Sequence, residues 1–332
     1  MSDSSNTATD SVAASPPRQA AHLSISAVER DTGLSKDTLR VWERRYGFPA
    51  PERDAFGERA YPMDQVERLR IVKRLLDAGH RPGRVVALDL AALQHLAEGM
   101  STLAGRPSMP TDSEDLRDLH GFIDLVKAHD AEALRRTLSQ AQLKLGLARF
   151  VTDLVAPLNT MVGDAWMRGH LEVFEEHMYT ESIQVVLRNA LSAVPEPELV
   201  GRPRVLLTTF PQEQHGLGLL MAEATLALEG CRCLSLGTQT PIWDIALAAT
   251  AHRADIVALS FTACQNPNQV IEGLVDLRSK MPRSVDIWAG GSCAILYRRA
   301  IEGVRTLPEL HDVPVALAEW RQAHARGFAA AE

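Results

Sequence analysis

The spacing of apolar residues changes along the chain and divides it into three segments. From Leu23 to Leu88 it is helical in short stretches. Ser24 can cap a first helix with Ile25 and Val28 inward, and Gly33 ends it. Ser35 can cap a second helix, Lys36 to Arg45, with Leu39 and Trp42 inward. A reversal centred on Gly57 follows Pro49 and Pro51, and then a further helix, Met63 to Ala78, buries Val66, Leu69, Val72 and Leu76. From Ser113 to Val194 the helical spacing lengthens into four stretches: Leu119, Ile123 and Val126; Leu134 and Leu138; Leu147 to Val162; and Met178 to Leu191. The short breaks at His129, Gly146 and Gly169 predict antiparallel neighbours, hence an up-and-down four-helix bundle. From Arg202 onward short apolar strands alternate with helical stretches: Val205 to Phe210, Cys231 to Leu236, Ile256 to Phe261, Ile287 to Ala289 and Val304 to Leu307. That alternation predicts a doubly wound, Rossmann-like parallel sheet.

The expected organisation is therefore multidomain. A disordered tail (1–22) precedes an α-helical head with a helix-turn-helix and wing (23–90) and a linker (91–112). The four-helix bundle (113–196) and the α/β domain (202–328) follow. The tail is rich in Ser, Ala, Thr and Asp and has no apolar core, which argues against a signal peptide or anchor. Between Arg84 and Asp115, Gly99, Gly105, Pro107 and Pro110 interrupt any sustained heptad, so self-association into a homo-oligomer is expected of the body rather than of a coiled coil.

At 332 residues the chain suits two or three domains, and it has no apolar run of the roughly 18 to 20 residues that span a bilayer, so no membrane partner is expected. Four cysteines (Cys231, Cys233, Cys264, Cys293) lack paired spacing and read as reduced thiols, which places the chain in the cytoplasm. The net charge of −7 seems unfavourable for nucleic acid, but its distribution matters more than its total. Ser24 to Arg84 holds 13 Lys/Arg against 10 Asp/Glu, a net of +3, which leaves −10 for the rest. A mildly basic head on an acidic body suits a DNA-binding unit joined to a sensor.

The second helix of the head sets Lys36, Arg40 and Arg44 on one face at i, i+4 and i+8, with Arg45 beside them. Two helices joined by a Gly-containing turn, the second with a basic stripe, match a helix-turn-helix that enters the major groove of double-stranded DNA. Arg53, Arg59 and Tyr61 flank the Gly57 reversal, a small wing suited to gripping phosphates. A solvated helix face is the plain alternative for a charge run. The string Thr38-Leu39-Arg40-Val41-Trp42-Glu43-Arg44-Arg45-Tyr46, the Pro-rich turn and Gly57-Glu58-Arg59-Ala60-Tyr61 together resemble the MerR family over about 65 residues.

Ligands of doubly wound sheets sit beyond the carboxyl ends of the strands. Directly after the first strand comes Glu213-Gln214-His215-Gly216-Leu217-Gly218. A lone loop His is usually a surface residue, but Glu213 could orient this imidazole and leave a basic nitrogen available to a metal. Gly218 and Gly290-Gly291 leave space free of side chains. This E-x-H-x-x-G loop, with Ser260 and Thr262 ending the third strand and Gly290-Gly291 ending the fourth, resembles the cobalamin-binding domain of methionine synthase and corrinoid mutases. The resemblance implies that His215 is the lower axial ligand of cobalt and that Glu213 orients it. It also implies that Ser260 and Gly290-Gly291 border the slot for the nucleotide tail, with Gly218 and Thr262 as further cofactor-binding candidates. The family usually has Ser-x-Leu where this chain has Ser260-Phe261-Thr262.

In the bundle, Trp166 precedes Glu176-His177 by nine intervening residues, with Gly169 breaking the chain between them. By itself this reads as a core Trp beside an exposed acidic run. Taken in order, head, bundle, cobalamin domain and W-x9-EH resemble the CarH and LitR group of cobalamin-dependent photoreceptor regulators. That resemblance implies a non-enzymatic repressor in which Trp166, Glu176 and His177 cover the upper group of adenosylcobalamin and light releases the operator. The best-understood photoreceptors place a His directly after the Trp, where this chain has Met167. A light-independent sensor of cobalamin level or redox state therefore stays open, as do a corrinoid carrier and a degenerate sensor binding another chromophore or a protein.

Overall fold

The computed structural model describes residues 22–54, 56–77, 80–101, 113–195, 203–263 and 265–328. The expected tail up to residue 21, residues 102–112 of the expected linker, and Cys264 lie outside the described residues. The chain forms two compact units, Met1–Lys73 and Arg74–Glu332.

The first unit holds β1 (His22–Ser24), α1 (Ile25–Thr32), α2 (Lys36–Tyr46), β2 (Glu52–Arg53), β3 (Arg59–Pro62) and most of α3 (Met63–Asp77). Ser24 and Ser35 cap α1 and α2 by accepting from the Ala27 and Thr38 N–H groups. Gly33 and Gly47 close the same helices in left-handed conformation, which an L side chain would resist. The three strands form an antiparallel sheet in the order β1-β3-β2, the wing. Val28, Leu39, Trp42, Tyr61, Val66 and Leu69 are its buried core.

The second unit continues with α4 (Pro82–Val85), α5 (Leu90–Ser101), α6 (Ser113–Lys127), α7 (Ala131–Leu145) and α8 (Leu147–Arg149). A π-helical turn (Phe150–Val155), α9 (Ala156–Met167) and α10 (Val173–Ser192) follow. The segment expected to open the linker is thus helical as α5, which packs on α9. The π turn has a local cause. Pro157 has no N–H and its ring collides with a carbonyl four residues back in a regular helix, and the widened turn, with Ala156 N–H reaching Val151 O, relieves this. The extra residue resets the phase of α9, placing Asn159 against Met221 of the next domain.

That domain comprises β4 (Arg204–Thr208), α11 (Leu217–Leu228), β5 (Arg232–Ser235), α12 (Ile242–Ala251) and β6 (Ile256–Ser260). It continues through α13 (Pro267–Lys280), β7 (Asp286–Gly290), α14 (Ile295–Arg298), β8 (Val304–Leu307) and α15 (Asp312–Phe328). The strands are all parallel in the order β5-β4-β6-β7-β8. The order reverses between β4 and β6, and the crevice beyond their carboxyl ends is where such sheets take ligands. One side of the sheet packs on Ile245, Leu274 and Leu277, the other on Leu219, Leu317 and Trp320. Leu220, Met221 and Ala224 of α11 belong to the core of the helical bundle, so bundle and α/β domain share apolar packing along that helix.

Candidate functional site

The loop after β4 is built from the inside out. Glu213 is fully buried, and its carboxylate accepts from four donors at once. The His215 ring Nδ1 donates at 2.6 Å and its backbone N–H at 3.0 Å, while the Thr262 backbone N–H and hydroxyl each donate at 2.7 Å. Burial pushes the Glu213 carboxyl up, but the hydrogen bonds from the His215 ring and from Thr262 outweigh it and hold the group below its ordinary value. The Glu213 carbonyl in turn accepts from the Thr209 hydroxyl at 2.7 Å. With Nδ1 committed as the donor, the imidazole lone pair is on Nε2, and the ring is 44 % exposed.

The departure at position 262 has a physical reason, since Leu would supply no hydroxyl to the buried carboxylate. Phe261 between Ser260 and Thr262 is buried edge-on against Phe210, at 5.1 Å between ring centres. Gly218, Gly290 and Gly291 are needed for close approach. A Cβ on Gly218 would lie 2.8 Å from Ser260 Oγ, and one on Gly290 would lie 3.0 Å from the Leu307 carbonyl oxygen. Gly291 has φ +111°, and its Cβ would meet the Phe261 carbonyl oxygen at 2.2 Å. Gly218 thus packs directly on Ser260 at the strand ends, and the glycine pair packs on Leu307 and on the backbone of Phe261, so none of the three positions has room for a side chain. A single imidazole oriented by a buried carboxylate fits a corrinoid, which brings its own metal and needs one nitrogen from the protein.

The bundle faces this loop through α10. Gln184 and Arg188 look across a polar cavity of about 150 Å³ toward Gln214, Ser235 and Thr238. At its start, α10 is anchored by the buried Glu175, which completes a capping box with Glu172 and binds His129 Nε2 at 2.9 Å. Glu176 and His177 come next, paired at 2.8 Å, with the Thr180 hydroxyl donating to Glu176. His177 is 72 % exposed. Trp166 is half-buried near the end of α9 against the bundle core. Met167 closes that helix, and its side chain lies outside the described residues. Tyr179 and Asn159, one turn inward, join α10 to α9, and Asn159 also reaches Met221 of α11. Sequence reasoning missed this polar chain and the Glu175 anchor. A Glu three residues before Glu175 was the available signal for the capping box.

In the head, α2 displays Arg40, Arg44 and Arg45 to solvent, with Lys36 half-buried beside Glu29 at 3.6 Å. Arg40 pairs with Asp37 at 3.2 Å, and Arg59 is held by Glu43 at 2.8 Å. Arg53 donates to the Gly57 carbonyl at 2.8 Å, which braces the wing tip. Tyr61 departs from its expected place on the DNA-gripping surface. It alternates inward on β3 and is fully buried, its hydroxyl without a partner, so its ring serves the core of the head and does not meet a phosphate in this conformation.

Comparison with known proteins agrees with this arrangement. Residues 23–88 match the MerR HTH family of regulatory proteins, and residues 119–190 match a B12 binding domain. The HTH-type transcriptional repressor CarH of Myxococcus xanthus is 33 % identical over 81 % of this chain and 89 % of its own length. The repressor CarA of the same organism is 31 % identical over 84 % of this chain and 90 % of its own. The HTH-type transcriptional regulator MlrA of Salmonella typhimurium (strain SL1344) is 39 % identical over 51 residues, 15 % of this chain and 21 % of its own length. These matches define a MerR-type DNA-binding regulator fused to a cobalamin-binding domain. The chain belongs to the CarH/CarA family of cobalamin-binding transcription regulators. Among the described residues no helix is long and apolar enough to cross a membrane.

Proposed function

We propose that the protein is a repressor that holds its operator as an adenosylcobalamin-loaded homo-oligomer and releases it in blue-green light. The observation that carries this reading is the His215 ring, held through Nδ1 by a fully buried Glu213 at 2.6 Å, so that Nε2 would be the nitrogen to hold cobalt. Adenosylcobalamin supplies a weak cobalt–carbon bond that visible light breaks. His215 anchors the lower face. Trp166 and the Glu176–His177 pair, at facing helix ends, cover the upper group, and Ser260, Thr262, Gly218 and Gly290-Gly291 border the tail. A bundle with two packing states would respond to whether the space by Trp166 and the Glu176–His177 pair is filled. In the head, Lys36, Arg40, Arg44 and Arg45 meet the major groove, while Arg53 and Arg59 set the wing on the backbone.

The test is operator affinity of the adenosylcobalamin-loaded protein in darkness and after green illumination. A fall of about 5- to 150-fold is expected, the range a 1–3 kcal/mol coupling gives. Equal affinity in the two states would contradict the reading. Met167, in place of the His that follows the Trp in the best-understood photoreceptors, favours a second reading: a light-independent sensor of cobalamin level. Anaerobic loaded protein that shows no photoconversion, yet changes operator affinity with cobalamin concentration, would select that one.

A further inference from the structure

Arg74, the first residue of the second unit, is buried to 5 % exposure, an unusual place for a guanidinium. A buried cation is costly unless its surroundings compensate it, so what it touches indicates its use. Its guanidinium carbon lies 4.6 Å from the centre of the Trp166 ring, and it donates to the Trp166 backbone carbonyl. That carbonyl belongs to the last turn of α9, where the helix dipole favours positive charge. It also receives the Arg168 and Gly169 N–H groups. Ring and backbone of one residue are thus held by one side chain.

We infer that Arg74 is the positioning residue for Trp166: it covers one face of the indole and caps the helix end beneath it, so that only the opposite face is offered to the group above cobalt. This rests on the reading of Trp166 as part of the upper lid. The consequence is selectivity. An indole held against a cation keeps one orientation before ligand arrives, and a bulky upper group gains from that pre-organisation while a hydroxo ligand does not. Arg74 acts through Trp166 on the upper side, so binding that depends on His215 alone is indifferent to it.

The full-length protein is titrated by absorbance in darkness with adenosylcobalamin and, separately, hydroxocobalamin, comparing wild type with Arg74→Ala, Arg74→Met and Arg74→Lys. The Met variant keeps the bulk of the stem where Ala loosens the fold. Preference for adenosylcobalamin should fall about tenfold in Arg74→Ala and Arg74→Met and be partly restored in Arg74→Lys, with hydroxocobalamin affinity within about twofold of wild type. Equal weakening of both cobalamins, or no change in their ratio, would overturn the selectivity role. A second readout needs no cofactor. Near-ultraviolet circular dichroism of the apoprotein should change with Arg74→Met when Trp166 is present and not in a Trp166→Phe background. The same change in both backgrounds would refute the clamp. Wild type that takes up neither cobalamin overturns the functional reading and the selectivity role with it, whereas the apoprotein comparison still decides the clamp by itself.

Discussion

The two faces of the proposed corrinoid site are built differently. Below, Glu213 is sealed from solvent, receives four hydrogen bonds and presents one imidazole in one tautomer, with glycines that tolerate no added atom alongside. Above, His177 is largely in water, its partner Glu176 is its own neighbour in sequence, and Trp166 is only half-buried. The floor is ordered throughout before ligand arrives, whereas in the lid only Trp166 is held, by Arg74, and the exposed His177 edge is left for the ligand to organise. A sensor needs this asymmetry, because a lid as tightly built as the floor would report nothing about what lies beneath it.

The contrast can be broken from the floor with large effects. Gly291→Ala forces a methyl group into the Phe261 carbonyl at a φ that L residues avoid, and should cost about 3 kcal/mol or more, read by chemical denaturation of the apoprotein. Glu213→Ala leaves the Thr262 and His215 donors facing a void and should cost about 1 to 3 kcal/mol of stability. It should also lower cobalamin affinity about 10- to 100-fold, as loss of a carboxylate behind a ligating histidine does. Acid should act on the same group. The folded-state pKa of Glu213 is lowered, so its contribution to stability is fully present above the ordinary carboxylate value and is lost as pH falls through the folded one. Denaturation midpoints of wild type should fall in that acidic window, and those of Glu213→Gln should fall less.

Changes to the lid should leave stability nearly untouched. His177→Ala should shift the unfolding free energy by no more than about 0.5 kcal/mol, since the ring is exposed, while altering how the protein distinguishes adenosylcobalamin from hydroxocobalamin. A large stability loss there would erase the contrast between lid and floor. In the head, Arg40→Ala with Arg44→Ala should weaken operator binding and reduce its salt slope by about one for each phosphate no longer neutralised, with cobalamin uptake unchanged.

The same asymmetry governs what the sequence disclosed. Period changes in apolar spacing were enough to place the head, the bundle and the parallel sheet, because each architecture repeats its pattern many times. The floor was legible because its parts are adjacent in sequence: Glu213 and His215 are two residues apart and follow a strand. The remaining donor residue, Thr262, was visible as a departure from Ser-x-Leu, but its purpose appears only when β6 is set beside β4 and its hydroxyl reaches Glu213. Tyr61 misled because its neighbours Arg53 and Arg59 are polar, whereas strand alternation turns its ring inward. Arg74 was hidden in a basic segment, 92 residues from the carbonyl it binds, and no local pattern distinguishes it from the other arginines around it.

In the proposed function, the orientation of one imidazole underlies every step from cofactor to operator. Cob(II)alamin bound to protein labelled with 15N-histidine gives an electron paramagnetic resonance spectrum in which the axial nitrogen splits each cobalt line. A doublet, lost in His215→Ala, is the expected result, because the nitrogen on cobalt then comes from the protein. A triplet that persists in both proteins would mean that the cofactor keeps its own base, and the buried Glu213 would have no part in holding cobalt.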